Sequence, residues 1–229
     1  MHEDDRSGTA RTLTTPEARV FYDRFGAKQD TQAFYEDRAL DALIAHADFQ
    51  HACAVFEFGC GTGRLAKRLL GTVLPDQCRY VGVDLSVTMV ELARERLKPW
   101  ASRAAVAQSD GLVPSEYRVG SYDRFVSTYV LDLMSDDAIR AVLADAYRVL
   151  GDGGSLCVVG LTHGRSPVTT LVSSAWKLIH RVHPELVGGC RPIALRDFLA
   201  EDRWRVRHHA VVSAWGITSE AVVAVRIEP

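Results

Sequence analysis

The residues best suited to chemistry are Glu57-Phe-Gly59-Cys-Gly61-Thr-Gly63, directly after an apolar run. Glycines at alternate positions let a strand turn sharply into a helix and let backbone amides approach a ligand closely. Dinucleotide enzymes use a related turn spaced G-x-G-x-x-G/A. Counted from Gly59, the third small residue would fall at position 64, which is Arg64. Asp84 ends the next apolar run, where a carboxylate can accept both ribose hydroxyls of an adenosine. Ser109-Asp110-Gly111 follows the third run, and an acid there suits an adenine amino group. Together these groups form a nucleoside site at the carboxyl ends of three successive strands, where open α/β sheets bind ligands.

The elements that must position them are legible from periodicity. Apolar runs at 53–58, 80–84, 104–107, 124–128 and 156–159 read as buried strands, with Gly153-Gly154 as a turn before the last. Helical patterns cover about 17–25, opened by Pro16, and then 31–47, 63–70, 87–98 and 136–150, with Ser86 and Ser135 as N-caps. Strand and helix alternate five times, which predicts a parallel sheet covered on both faces. Residues 205–212 and 220–227 are two extended runs with too short a gap for a helix, so they should pair as an antiparallel hairpin. A helix over 167–182, with an apolar stripe of Val168, Leu171, Val172, Ala175, Ile179 and Val182, is inserted before that hairpin.

The bulk composition narrows the classes. The chain has 229 residues with 47% hydrophobic and 24% charged residues, enough for a continuous core. The net charge of -2 carries no overall signature of a nucleic-acid or membrane-surface binder. Five cysteines without a C-x-x-C pair argue for reduced thiols and a cytoplasmic setting. Residues 1–15 are polar and are expected to be a disordered tail without a signal peptide, and there is no run long enough for stable membrane insertion. His180 and His183 lack further ligands, so no metal site is expected.

Val55-Phe-Glu-Phe-Gly-Cys-Gly-Thr-Gly63, Gly82-Val-Asp84-Leu-Ser86, Asp110 and Val149-Leu-Gly-Asp-Gly-Gly154 resemble the ordered motifs of class I S-adenosylmethionine-dependent methyltransferases. The resemblance spans roughly residues 50–160. It implies a Rossmann-like, doubly wound seven-stranded sheet of order 3-2-1-4-5-7-6 with an antiparallel seventh strand. It also implies S-adenosyl-L-methionine as cofactor and S-adenosyl-L-homocysteine as product. Gly59, Cys60 and Gly61 would line the cofactor's amino-acid moiety, with Glu57 holding its ammonium. Asp84 would take the ribose, with Leu85 and Met89 beside the adenine and Asp110 and Gly111 facing its amino group. Ser127-Thr-Tyr129 would run under the methionine chain.

On that reading the domain covers 16–229, with 16–50 as a helical flap and 162–200 as a helical insertion covering the acceptor pocket. Methyl transfer asks mainly for in-line positioning and exclusion of water. Tyr22 can offer a π face or hydroxyl to a sulfonium. His163 is the first candidate for a general base, and Tyr129 and Arg191 are candidates for acceptor contacts. Eight Lys/Arg against four acids across 160–209 suggest an anionic small-molecule acceptor. No nucleic-acid module is visible, and the segment after the fourth strand lacks the prolines of amino-methylating DNA enzymes. The alternatives are an NAD(P)-dependent Rossmann oxidoreductase, which Arg64 and the hairpin disfavour, and a non-catalytic S-adenosylmethionine-binding protein.

Overall fold

The computed structural model describes residues 12–182 and 189–228. Two helices, α1 (Thr15–Phe25) and α2 (Ala33–His46), lead into β1 (Ala54–Phe58), α3 (Arg64–Thr72), β2 (Arg79–Asp84), α4 (Val87–Leu97) and β3 (Ala104–Gln108). Then follow β4 (Tyr122–Thr128), α5 (Asp136–Val149), β5 (Leu150–Leu161), the inserted α6 (Pro167–Val182) and the hairpin β6 (Trp204–Ala214) and β7 (Ile217–Arg226). The sheet order is β3-β2-β1-β4-β5-β7-β6. The first five strands are parallel, and β7 runs antiparallel to both neighbours. This is the expected topology.

Period-two alternation divides the strand residues between two cores. Val55, Tyr80, Val126, Cys157, Val159 and Val223 pack with Leu43 of α2, Leu69 of α3 and Val90 of α4. Their chain neighbours Phe56, Phe125, Leu156, Val158 and Val222 pack with Ile139, Val142 and Leu143 of α5. Both faces are covered, which is why the strands read as continuous apolar runs rather than alternating ones.

Local chemistry fixes the helix starts that face the site. Ser86 Oγ accepts the Met89 amide at 3.2 Å, and Ser135 Oγ accepts the Ala138 amide at 3.3 Å, so both expected caps form. Ser86 Oγ also donates to Asp23 of α1 at 2.5 Å, which ties the N-terminal helix to the carboxyl edge of β2. Gly63 sits at φ +75°, and a Cβ there would stand 3.1 Å from Ala93 Cα, so only glycine lets α3 start this close to α4.

Three expectations need correction. Residues 12–15 are not part of a disordered tail. Thr14 and Glu17 form a capping box, with the Thr14 amide donating to Glu17 Oε2 at 2.8 Å, and α1 begins at Thr15. Residues 1–11 lie outside the described residues. The fifth strand starts at Leu150 rather than 156, because the turn at Gly153 (φ +71°) falls inside an irregularity in the β4–β5 register instead of before the strand. The third concerns α6, which forms over the expected residues. It buries Ser173 and His180, while Val168, Leu171, Ile179 and Val182 of its apolar stripe are exposed, as is Leu178 beside them. Among the described residues no helix is long and apolar enough to cross a membrane.

Candidate functional site

The glycine turn leaves β1 with Gly59 at φ +74° and Gly61 at φ +52°. A Cβ on Gly59 would come within 2.3 Å of Val130 Cγ2, so the turn is closed tightly against the loop after β4. The amides of Gly59 and Cys60 both donate to the Val83 carbonyl, at 2.8 and 3.0 Å. The Gly61 amide donates to Asp84 Oδ2 at 2.8 Å, and the Ser86 amide donates to Asp84 Oδ1 at 2.9 Å. The turn and the carboxylate, 23 residues apart in sequence, are therefore in direct contact. Burial pushes the Asp84 carboxyl up from its ordinary value, against the pull of the surrounding amides.

A cavity of about 480 Å³ opens beside them. Gly59, Gly61, Asp84, Leu85, Met89 and Gly111 line it, together with Tyr22 and Tyr129. That volume is within the range of about 300–1,000 Å³ for small-molecule sites. A smaller adjoining recess is lined by Glu57, Cys60, Gly59, Gly61, Gln29 and Glu36. Glu57 is only 1% exposed and accepts a hydrogen bond from the Tyr80 hydroxyl at 2.6 Å. Burial drives its carboxyl up to about 8, although the Tyr80 bond works in the opposite direction. Gln29 Oε1 is buried without a hydrogen-bond partner and stands 2.7 Å from where a Gly61 Cβ would be. A raised carboxyl and an unpartnered carbonyl at one end of the site suit a cationic group there. Burial also pushes the Cys60 thiol well up, so it remains a thiol rather than a reactive thiolate.

Tyr129 is held at φ +57°, an uncommon conformation for a bulky residue. Its amide donates to the Val159 carbonyl at 2.8 Å, and its hydroxyl donates to Ser219 Oγ at 2.9 Å. The backbone strain is thus fixed from both β5 and β7, and it directs the ring to the cavity wall. Burial raises the Tyr22 hydroxyl well above its ordinary value, with Cys190, Asp132, Asp84 and Glu36 adding to the shift, so it stays protonated. Asp132 is fully buried; its Oδ2 accepts the Leu161 amide at 2.9 Å, and burial raises it to about 7.

Several sequence candidates do not reach the cavity. Asp110 is exposed, and its Oδ1 accepts the Leu112 amide at 3.2 Å, so it caps its own turn while Ser109 and Gly111 line the wall. Ser127 is buried within β4, and the lining falls to its successors Thr128 and Tyr129. His163 is exposed two residues past the end of β5 and lines no part of the cavity. Arg191 is bound to the Met134 carbonyl at 2.9 Å and to Asp136 at 2.6 Å, behind the wall. No Lys or Arg lines the cavity among the described residues, which removes the basis for an anionic acceptor. Nor does α6 line it, since its inner face packs beside β7, so it does not cover the pocket as expected.

Other lining residues were missed. Thr12, Leu13, Thr14, Thr15, Pro16 and Ala18 close one side, and Leu133, Met134, Ser135 and Ala138 another. The T-x-x-E pattern at Thr14–Glu17 signalled an ordered helix start before Pro16. Nothing local marked the second group beyond the cap at Ser135.

Comparison with known proteins adds independent findings. Residues 55–154 match the family described as methyltransferase domain. A carboxy-S-adenosyl-L-methionine synthase from Chromohalobacter salexigens is 31% identical over 115 residues, 50% of this chain and 42% of that protein. The chain thus spans under half the length of that relative. Among solved structures, the cyclase SpnF aligns with a TM-score of 0.70 at 15% identity, covering 97% of this chain and 100% of the other. The N-methyltransferase NodS from Bradyrhizobium japonicum, in complex with S-adenosyl-L-homocysteine, aligns with a TM-score of 0.69 at 18% identity, covering 92% and 99%. At these identities the two structures establish the shared fold.

Proposed function

We propose that the chain is a class I S-adenosylmethionine-dependent methyltransferase that binds S-adenosylmethionine in the 480 Å³ cavity and methylates a small, uncharged organic acceptor. The observation that carries this reading is the direct contact between the Gly61 amide and the Asp84 carboxylate on one cavity wall. That contact brings the turn and the acid close enough to hold one nucleoside.

In this reading each Asp84 oxygen keeps a free lone pair for a ribose hydroxyl while accepting from Gly61 or Ser86. Leu85 and Met89 flank the base, with Ser109 and Gly111 at its edge. Glu57 and Gln29 face the amino-acid end, where a bound ammonium would draw the Glu57 carboxyl down and ionise it. The cofactor supplies the electrophilic methyl group. Tyr22 and Tyr129 orient the acceptor, and the segment from Thr12 to Ala18 that leads into α1 keeps water out. The protonated Tyr22 ring also offers its π face to positive charge. No side chain is assigned as a base; an acceptor already nucleophilic when neutral needs none.

Thermal shift separates this reading from the oxidoreductase alternative, since a ligand stabilises the fold it binds. S-adenosylhomocysteine should raise the melting temperature and NAD(H) should not; the reverse result would overturn the assignment. Donor-dependent methylation of any member of a panel of small organic acceptors would exclude the non-catalytic alternative.

A further inference from the structure

The helix α6 is turned inside out relative to an ordinary surface helix. Its inner face is fastened by polar contacts: the Trp176 indole donates to the Cys190 carbonyl at 2.9 Å, the His180 ring bonds the Gly189 carbonyl at 3.0 Å, and Ser173 Oγ accepts the Gly164 amide at 3.1 Å. Its outer face presents Val168, Leu171, Ala175, Leu178 and Val182, spaced three and four apart along one side, with Leu171 71% exposed. The β6–β7 turn adjoins this helix, since a Cβ on Gly216 would touch Val172 at 3.3 Å. In that turn Trp215 is held at φ +54° and is 83% exposed. A two-residue hairpin at positive φ favours Asn or Gly, so a bulky indole there is costly for the fold alone.

We infer that α6 and Trp215 form a docking face for an anionic membrane surface, with the helix lying in the interface plane. The charge pattern selects this occupant. Arg165, Lys177 and Arg181 are exposed around the stripe, and the sequence from His163 to Val182 contains no acid. An apolar stripe flanked by basic residues, with an indole beside it, is the composition of interfacial helices, and indoles concentrate at the headgroup level. Cations near an anionic leaflet add attraction that salt screens. A second copy of the chain fits less well. An isologous pairing would set these cations against their own copies, and one helix face falls short of the roughly 800 Å² per partner of a standard interface. The overall charge of -2 conceals this local excess. The inference does not rest on the proposed activity.

Co-flotation of the full chain with vesicles provides the test. Binding is expected to phosphatidylcholine–phosphatidylglycerol vesicles, with much less to phosphatidylcholine alone and weakening at high salt. The double variant Leu171→Glu/Leu178→Glu should lower the partition at least about tenfold, since both side chains would otherwise enter the interface. Trp215→Ser should lower it less. Both variants change exposed side chains, so melting temperature and S-adenosylhomocysteine response should match the parent chain. Failure of the parent chain to float with anionic vesicles would overturn the inference, as would equal flotation of the double variant. A parent dimer that the double variant dissociates, without vesicle binding, would reassign the face to self-association.

Discussion

The two walls of the cavity are built by different means. The wall of Gly59, Gly61 and Asp84 comes from consecutive strand ends, and its polar groups are locked by backbone hydrogen bonds at 2.8–2.9 Å. The second wall is assembled from lining residues within 12–18, Tyr22, Gln29 and lining residues within 129–138, which meet only in the tertiary fold. A ligand part common to many enzymes can be held by the first wall through backbone amides and the single side chain of Asp84. Under the proposed function, the groups that select the acceptor lie on the second.

The largest expected effect probes the first wall. Asp84→Ala should lower S-adenosylhomocysteine affinity about a hundredfold, because hydrogen bonds to a charged group are each worth about 1.5–3 kcal/mol. Titration calorimetry measures this, and unchanged affinity would break the distinction between the walls. Gly59→Ala should destabilise by about 1–2 kcal/mol from left-handed strain alone, with further loss from contact with Val130. Adding Val130→Ala should recover the second part only, which a chemical denaturation series would reveal.

The Glu57 carboxyl yields a pH signature. With a native value of about 8 against an ordinary 4.5, the native chain holds a proton in that window that the unfolded chain has released. Stability from this group is therefore complete below about pH 4.5 and is lost as pH rises toward 8. Glu36 and Asp132, both raised to about 7, act in the same direction. Glu57→Gln should accordingly raise the melting temperature at pH 8 by a few degrees, and the gain should vanish toward pH 5. A gain independent of pH would mean that Glu57 is already ionised in the native state. The smallest effect belongs to the second wall's frame. Ser135→Ala should cost about 1 kcal/mol through the lost cap on α5, measurable by denaturant unfolding.

The same contrast explains what the sequence made legible. The strands, the helices, both serine caps and the glycine turn depend on local patterns, since each is fixed by residues within a few positions of one another, whereas the strand order was carried by the family resemblance and Asp84 by its place at the end of the next strand. Gly153 marked a turn, yet whether a turn precedes or interrupts a strand depends on its β4 partner, and there the expected boundary was wrong. Asp110 had the right position in sequence, but its side chain found a nearer donor in Leu112. His163 and Arg191 were plausible by type, yet His163 is exposed in the loop after β5 and Arg191 is held by Asp136, a partner 55 residues away in sequence. The stripe on α6 shows the limit most plainly. Its periodicity was correct, yet three polar contacts turned the stripe away from the protein.

A crystal structure with S-adenosylhomocysteine bound bears most directly on the shared-wall arrangement. The ribose hydroxyls should lie within hydrogen-bond distance of Asp84, with the base against Met89 and the amino group toward Glu57 and Gln29. A nucleoside bound elsewhere, or one that leaves the Gly61–Asp84 pair untouched, would contradict the assignment of this cavity as the cofactor site.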